Sequence, residues 1–340
     1  MTGWKSLLLI CAVLWSWPVL AEEALLDASA NPKAKYPAVL FETVGQKTDK
    51  SFIEMARRGA EQAKKELGIK FTEYTIEEGE DREKKLQAIA DTGTVMIIAV
   101  GFENVVPVIH LADHYPGTHF VVIDGLVPPS FSNVQSVLFN DNEGAFLVGM
   151  IAAMESKTDI IGFVGGMDVP LIRNFAYGYE QGAQYINKDI KILRSMIGTT
   201  REAWNNPERG AELAHAEFEQ GADVVFAAAG GSSIGVLRAA HDSGKYAIGI
   251  DTNQNMLYPG TVLTSLVKRV DIAVFNTLKA SRDNQWQPGT RYLSAADGYL
   301  DYAVDSNNRA LISKEMIDRI ETVKDQILRG LLKVQAYSPN

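Results

Sequence analysis

Residues 231–235 carry the clearest catalytic pattern in the chain. They read Gly-Ser-Ser-Ile-Gly, which matches the G-x-S-x-G turn that presents a nucleophilic serine between a strand and a helix. A hydrolase of that type requires an acid and then a histidine later in the chain. The last histidine, His241, follows Ser233 closely, with no carboxylate between them. We therefore interpret this segment as a glycine-rich turn at a helix N-terminus.

Three of the five histidines lie in the segment IHLADHYPGTH, from Ile109 to His119. His110 and His114 are four residues apart and could share a zinc ion on one helix face, with Asp113 beside them. The glutamate of an H-E-x-x-H site is missing, so an exposed polar helix face explains the pattern as well. We predict no resident metal and no cofactor, although a fortuitous surface metal site stays open.

The elements that position these segments alternate regularly from Tyr36 onward. Short β-branched runs predict strands at 37–43, 70–75, 95–100, 119–123, 134–139, 159–164, 191–196, 223–228, 246–250 and 261–267. Amphipathic stretches predict helices at 51–66, 80–91, 104–114, 142–155, 171–186, 207–219, 232–242, 269–284 and 313–329. This alternation is typical of α/β folds, with parallel sheets flanked by helices.

Ten strands are too many for one compact sheet in a chain of this length, so we predict two similar lobes with a cleft between them. We assign 36–140 and about 265–290 to lobe 1, and 141–264 to lobe 2. The segment 291–340 is predicted to cross the hinge and pack on both lobes.

Ligands of open α/β sheets bind at the carboxyl ends of the strands. The residues predicted there are glycines, short polar side chains and a few aromatic rings: Gly101-Phe102, Asp124-Gly125, Gly165–Met167, Trp204-Asn205, Gly230–Ser233 and Asp251–Gln254. Carboxylates without a basic cluster favour a neutral ligand that bears hydroxyl groups over a phosphate.

Composition and the N-terminal segment restrict the location and the partners. The 340 residues carry a formal net charge of −9, which disfavours nucleic acid and anionic membranes. Lys5, the apolar run from Leu7 to Leu20 and Ala21 predict a signal peptide over 1–21, too short to span a membrane. We therefore predict a soluble exported protein. The single cysteine, Cys11, lies within that run, which argues against both a disulfide and a lipid anchor.

Six segments, in order, resemble the basic membrane protein family, the purine nucleoside receptors of ABC importers. They are GQKTDKSF (45–52), FNDNEGAFLVGMIAA (139–153), FVGGMDVPLIRNFAYGYEQGA (163–183), AAAGGSSIGV (227–236), GIDTNQN (249–255) and LTSLVKRVD (263–271). The resemblance covers nearly all of the chain after the signal peptide. It implies a two-lobed type I periplasmic binding fold that closes on a nucleoside.

The resemblance also implies roles for individual residues. Asp49 is similar to the acid that reads the base, and Phe175 to a ring that stacks on it. Asp251 and Lys268 match the residues that bind the ribose. The complete set of predicted ligand residues is Thr48, Asp49, Phe52, Asp124, Phe175, Trp204, Asn205, Gly230, Asp251 and Lys268. Thr48 and Ile53 depart from the family pattern, in which both positions are usually asparagine, so the choice of base stays open.

We predict a monomeric, non-enzymatic binding protein whose partners are a nucleoside-like solute and an inner-membrane ABC permease. Three alternatives remain open: another small solute, a ligand sensor for a membrane receptor, and an exported nucleoside hydrolase. The hydrolase would require a histidine or a metal in the cleft, and none of the five histidines lies in a predicted cleft loop.

Overall fold

The computed structural model describes residues 36–42, 50–77 and 79–338. The predicted signal peptide and the predicted ligand residues Thr48 and Asp49 lie outside these ranges.

The first sheet has six strands, and all pairs within it are parallel. Its strands are β1 (Ala38–Glu42), β2 (Thr72–Ile76), β3 (Met96–Val100), β4 (His119–Ile123), β5 (Val134–Phe139) and β11 (Gly289–Leu293). Across the sheet they lie in the order β11-β5-β4-β3-β1-β2. The continuous apolar run of β3, Met-Ile-Ile-Ala-Val, is buried along its whole length, as expected for a strand of a parallel sheet that helices cover on both faces.

The second sheet repeats this arrangement. Its strands are β6 (Ile160–Met167), β7 (Lys191–Gly198), β8 (Val224–Ala228), β9 (Tyr246–Asp251), β10 (Val262–Lys268) and β12 (Leu300–Tyr302). They lie in the order β12-β10-β9-β8-β6-β7, and β12 alone is antiparallel to its neighbour. The first five strands of each sheet therefore share the spatial order second, first, third, fourth, fifth, which confirms the predicted α/β fold with two similar lobes. We call each sheet and its helices a lobe.

The helices cover the sheets and connect their strands. They are α1 (Phe52–Leu67), α2 (Arg82–Asp91), α3 (Val105–Leu111), α4 (Asp141–Glu155), α5 (Pro170–Ile186), α6 (Pro207–Glu219), α7 (Ser233–Asp242), α8 (Val270–Arg282) and α9 (Lys314–Leu328). Asp81, Asn206 and Ser313 cap α2, α6 and α9, because each side chain accepts a hydrogen bond from a backbone N–H in the first turn.

Close packing on α4 fixes the position of α5. A Cβ atom at Gly149 would lie 2.1 Å from the carbonyl oxygen of Tyr179, and one at Gly182 would lie 1.9 Å from that of Phe146. Only glycine allows the two backbones to approach this closely. The contact therefore holds α5 rigidly against α4, which starts directly after the end of β5.

All ten predicted strands are present, whereas β11 and β12 were not predicted. The strand β11 starts at Gly289 and exposes Arg291 and Tyr292, so it lacks a buried apolar run, and β12 has only three residues. The chain passes between the sheets after β5, β10 and β11. The lobe boundaries given above remain a prediction.

The histidines near residue 110 lie on the surface of the first lobe. The Nδ1 atom of His110 is 2.7 Å from Oε2 of Glu83, and Nδ1 of His114 is 2.9 Å from the carbonyl oxygen of His110. Within the described part of the chain, no three His, Cys, Asp or Glu side chains are grouped so as to hold a metal ion. Among the same residues, the helices lack the combination of length and apolar character that a membrane crossing requires.

Candidate functional site

A cavity of about 100 Å³ is lined by residues that follow strands of both sheets. It brings together seven of the residues predicted from the sequence: Phe52, Asp124, Phe175, Trp204, Gly230, Asp251 and Lys268. Asn205 is exposed and does not line the cavity. The strand-end rule and the family resemblance therefore converge on one place in the fold.

Several lining residues were not predicted. Glu103 follows Gly101 and Phe102 directly, at the end of β3, so the strand-end rule could have included it. Leu171 and Ile172 line the cavity from the first turn of α5. Their apolar side chains resemble those of any core-facing helix turn, so the sequence offered no signal for them.

Aromatic rings enter the cavity from both lobes. Phe52 and Phe102 belong to the first lobe, and Phe175 and Trp204 belong to the second. The indole of Trp204 lies against Gly166, where a Cβ atom would be 2.3 Å from the ring carbon Cζ3. Glycine at position 166 is therefore required for Trp204 to occupy this position.

Lys268, at the end of β10, is the centre of a buried charge cluster. Its Nζ atom is 2.5 Å from Oδ2 of Asp124 and 3.0 Å from Oδ1 of Asp141. The same atom lies 5.5 Å from the ring centroid of Phe52 and 5.3 Å from that of Phe175, within the range of cation–π attraction. The Lys268 ammonium thus pairs with Asp124 of the first lobe and with Asp141 at the start of α4. It lies between aromatic rings of both lobes.

Burial and charge compete within this cluster. Burial lowers the pKa of Lys268, but the negative charges of Asp124, Asp141 and Asp251 outweigh burial, so that its pKa lies above its ordinary value. Burial raises the pKa of Asp124, and it raises that of Asp141 to about 8, although Lys268 opposes both shifts. Lys268 therefore stays charged, and its charge offsets part of the cost of burying the two carboxylates.

Asp124 and Asp251 share an unusual backbone conformation. Their φ angles are +60° and +63°, in the left-handed region that few residues other than glycine adopt. Asp124 directly follows β4, and Asp251 is the last residue of β9. Such conformations cluster at functional sites, where the surrounding structure holds them.

Hydrogen bonds also join the lobes on the other side of the cavity. The Ser51 hydroxyl, at the start of α1, donates to a carboxylate oxygen of Asp251. The Thr252 hydroxyl and the Gln254 amide donate to the carbonyl oxygen of Lys50 over 2.9 Å and 3.0 Å. The loop before α1 is thus tied to the end of β9.

The serines of the G-x-S-x-G segment serve the local backbone. The Ser232 hydroxyl donates to the carbonyl oxygen of Ala203 over 2.8 Å and accepts from the amide of Asn206 over 2.6 Å. The Ser233 hydroxyl donates to the carbonyl oxygen of Ala227. Both serines are fully buried, and His241 contacts the Thr261 hydroxyl instead. The segment is a turn that fixes the position of Trp204.

Comparison with known proteins agrees with this geometry. The profile of a family described as "ABC transporter substrate-binding protein PnrA-like" matches residues 37–335. An uncharacterized lipoprotein of Pyrococcus furiosus is 35% identical over 279 residues, which cover 78% of this chain and 69% of the relative. Basic membrane protein D of Borreliella burgdorferi is 29% identical over 317 residues, covering 91% of this chain and 90% of the relative.

A solved structure extends the comparison to the fold. A crystal structure of ABC transporter solute-binding proteins from Aeropyrum pernix superposes with a TM-score of 0.81 at 26% identity. The match covers 89% of this chain and 94% of the other. The two-lobed arrangement is thus that of a solute-binding protein.

Proposed function

Since this chain belongs to the PnrA-like family of ABC transporter substrate-binding proteins, we propose that it binds a purine nucleoside between its lobes and delivers it to an inner-membrane permease. The family consists of substrate-binding proteins and not of enzymes. A small solute and an ABC permease are therefore its partners, and the nucleoside is our specific proposal.

The carboxylate of Asp124 is the observation that carries this proposal. Asp124 lines the cavity, and within the described residues its Oδ1 atom is buried without a hydrogen-bond partner. A buried acceptor without a donor costs about 1–3 kcal/mol. A ligand that brings a hydroxyl or N–H group to this oxygen would remove that cost on binding. Asp251, at the end of β9, offers a second carboxylate to the cavity from the other lobe.

The aromatic residues favour a ligand with a flat, unsaturated ring. Phe52, Phe102, Phe175 and Trp204 all line the cavity. Stacking of a base on an aromatic side chain contributes about 1–3 kcal/mol. A nucleoside joins such a base to a sugar with hydroxyl groups, so it uses the rings and the carboxylates together. A free sugar would pack only its C–H faces on the rings, since it lacks the flat base.

The charge of the cavity disfavours a phosphorylated ligand. Asp124 and Asp251 both face the cavity, and Lys268, which also lines it, is already paired with Asp124 and Asp141. A phosphate placed there would meet carboxylates without a cation left to neutralise it. We therefore expect a nucleoside to bind better than its monophosphate.

The resemblance supplies the remaining assignments of the proposal. It places Thr48 and Asp49 at the edge of the base, Phe175 on its face, and Asp251 and Lys268 at the ribose. Gly230 has no side chain, and a Cβ atom there would lie 3.5 Å from the indole of Trp204. The glycine therefore leaves space beside that ring. Asn205, exposed next to Trp204, is proposed only as a contact with the rim of the ligand.

Isothermal titration calorimetry with a panel of ligands tests this proposal. The panel contains adenosine, guanosine, inosine, cytidine and uridine, together with free bases, ribose, glucose and adenosine monophosphate. We expect at least one purine nucleoside to bind with a dissociation constant on the order of 1 μM or below, which corresponds to about −8 kcal/mol. Ribose and the monophosphate should bind at least tenfold more weakly. Binding of a sugar alone, or of no member of the panel, would refute the proposal.

We further propose that the protein is exported to the periplasm by its N-terminal segment, residues 1–21. The P. furiosus relative is named a lipoprotein, so a lipid on Cys11 is the alternative to cleavage after Ala21. The intact mass of the protein purified from its native membrane and soluble fractions separates the two. A soluble species that starts at Glu22 supports cleavage, and a diacylated species that starts at Cys11 contradicts it.

A further inference from the structure

Glu103 lies between two arginines at the edge of the cavity. Its Oε2 atom is 2.9 Å from Nη2 of Arg82 and 3.5 Å from Nε of Arg201. Arg82 also donates from Nη1 to Oδ1 of Asn104 over 3.1 Å. Asn104 is fully buried and donates in turn to the carbonyl oxygens of Val100 and Gly101. The Glu103 carboxylate is therefore anchored to the end of β3.

The two arginines belong to different lobes. Arg82 starts α2, which connects β2 to β3 in the first lobe. Arg201 starts a 3-10 turn, Arg201–Trp204, between β7 and α6 in the second lobe. The pair of Arg82 and Glu103 is internal to one lobe, whereas the pair of Glu103 and Arg201 spans the cleft.

Each side of the spanning pair carries an aromatic residue of the cavity. Phe102 precedes Glu103, and Trp204 ends the turn that Arg201 begins. The side chain of Glu103 is 15% exposed and that of Arg201 is 35% exposed, so solvent screens the pair only in part. The ion pair therefore fixes the distance between the turn that carries Phe102 and the turn that carries Trp204.

We propose that Glu103, Arg82 and Arg201 form a latch that holds the lobes closed and sets how long the ligand is retained. In this latch, Arg82 orients Glu103, and Arg201 closes onto it when the lobes meet. All three act as positioning residues, because they control the rings that touch the ligand. The latch rests on the proposed function only for the choice of ligand in its test.

The latch predicts an effect on dissociation and not on association. The ligand enters while the lobes are apart, before Arg201 reaches Glu103, whereas it leaves only after this pair has broken. Loss of the pair should therefore raise the dissociation rate and leave the association rate nearly unchanged. Salt should weaken the latch, since it screens a partly exposed ion pair.

The test is stopped-flow measurement of the tryptophan fluorescence of the full chain, to which Trp204 contributes from the cavity, with adenosine and inosine as ligands. We expect Arg201→Gln to raise the dissociation rate about three- to fivefold, consistent with an ion pair near the upper end of the range for exposed pairs. The association rate should stay within about twofold. Arg201→Lys, which keeps the charge, should restore most of the retention. Sodium chloride should accelerate dissociation from the wild type more than from Arg201→Gln.

Arg209→Gln is the matched control. Arg209 pairs with Glu212 over 2.9 Å within α6, so it loses an ion pair of the same type inside one lobe. We expect it to leave both rates unchanged. Equal dissociation rates for Arg201→Gln and Arg209→Gln would overturn the latch. Thermal unfolding of each variant checks that the fold is intact.

Small-angle X-ray scattering tests the latch without reference to the ligand class. Arg201→Gln and Glu103→Gln should both have a larger radius of gyration than the wild type and Arg209→Gln, because their lobes separate more often. If the wild type binds no nucleoside, the proposed ligand class is wrong, and the scattering comparison alone decides on the latch. Equal radii in all four proteins would then refute it.

Discussion

The two lobes present the same backbone features at the ends of their third and fourth strands. Gly101 and Gly230, which follow β3 and β8, have φ angles of +106° and +57°, and each lies at the start of a 3-10 turn. Asp124 and Asp251, at the ends of β4 and β9, both have left-handed backbones. One chain topology, used twice, therefore places two equivalent carboxylates on opposite sides of one cavity.

The lobes differ in what these carboxylates contact. Asp124 of the first lobe pairs with Lys268 of the second, whereas Asp251 of the second lobe accepts a hydrogen bond from Ser51 of the first. Each carboxylate thus finds a partner on the opposite lobe. Asp124 forms an ion pair with Lys268, whereas Asp251 accepts a hydrogen bond from the neutral Ser51 hydroxyl and also feels the Lys268 charge, so the two acids join the lobes through different groups.

The fifth strands show a related difference. After β5, the helix α4 starts at Asp141, and after β10, the helix α8 carries Asp271 in its first turn. Both carboxylates are almost completely buried, but Asp141 reaches Lys268 whereas Asp271 reaches Arg269 on its own chain segment. The two lobes have similar backbones at this site, and the buried Lys268 therefore makes one side of it charged.

Replacement of this lysine is the strongest test of that asymmetry. We expect Lys268→Met to reduce the free energy of unfolding by about 3–5 kcal/mol, because it leaves Asp124 and Asp141 buried without their cation. Nucleoside binding should fall below detection by calorimetry. Urea denaturation followed by circular dichroism measures the first effect.

Lys279→Met provides the comparison for this loss. Lys279 pairs with Asp283 over 2.9 Å on the exposed surface of α8, and such pairs contribute about 0.3–0.5 kcal/mol. A similar, small loss for both lysine variants would show that Lys268 does not hold the cluster together.

The two equivalent acids can be separated by a pair of matched substitutions. We expect Asp124→Asn to cost about 1.5–3 kcal/mol of stability, since it weakens a buried hydrogen bond between charged groups. Asp251→Asn should cost less than about 1.5 kcal/mol, because the Ser51 hydroxyl is neutral and can still donate to the amide oxygen of asparagine. Urea denaturation compares the two variants directly, and equal losses would contradict the asymmetry.

Asp251 should matter more for the binding of ribonucleosides than for stability. We expect Asp251→Asn to weaken a ribonucleoside about tenfold or more while the free base is nearly unaffected, since Asp251 is proposed to bind the ribose. Calorimetry with adenosine and adenine measures this difference. Equal weakening of both ligands would remove Asp251 from the ribose site.

Much of this comparison could be predicted from the sequence. Short, continuous apolar runs such as Met96–Val100 predict the strands. The strand-end rule predicts Asp124, Gly230 and Asp251 as ligand residues, and all three line the cavity. These signals are local, because burial between helices requires continuous apolar runs and a turn requires glycine or a short polar side chain.

The pairings between lobes could not be predicted in this way. Lys268 and Asp124 are 144 residues apart, and Ser51 and Asp251 are 200 apart, so no local pattern connects them. Asp141 is an acid at the start of a helix, and Leu171 is an apolar residue in the first turn of another, so neither carries a local signal of its contact. Their roles depend on how the lobes close, which is a property of the three-dimensional packing.

The last predicted effect concerns one helix of each lobe, α2 in the first and α6 in the second. In the first lobe, α2 buries Leu86 in a cluster with Leu40 of β1. In the second, α6 buries Glu217 beside Gly162 of β6, where a Cβ atom would lie 2.1 Å from the carboxylate. Burial raises the pKa of Glu217 to about 8, so α6 buries a carboxyl group that keeps its proton, whereas α2 buries the apolar Leu86.

This difference predicts a stability that depends on pH. The unfolded chain releases the Glu217 proton near pH 4.5, whereas the folded protein retains it to about pH 8. The contribution of Glu217 is therefore complete below the unfolded value and is lost as the pH rises through this window. Because Asp141 is the same in both proteins, the difference between the wild type and Glu217→Gln isolates this group. By pH 8 we expect Glu217→Gln to have gained, relative to the wild type, on the order of 4 kcal/mol compared with pH 4.5.

Urea denaturation at pH values between 4.5 and 8 measures this gain. Glu219→Gln, on the exposed side of the same helix, should follow the wild type at every pH. A constant difference between Glu217→Gln and the wild type would mean that Glu217 does not carry its proton into the folded state.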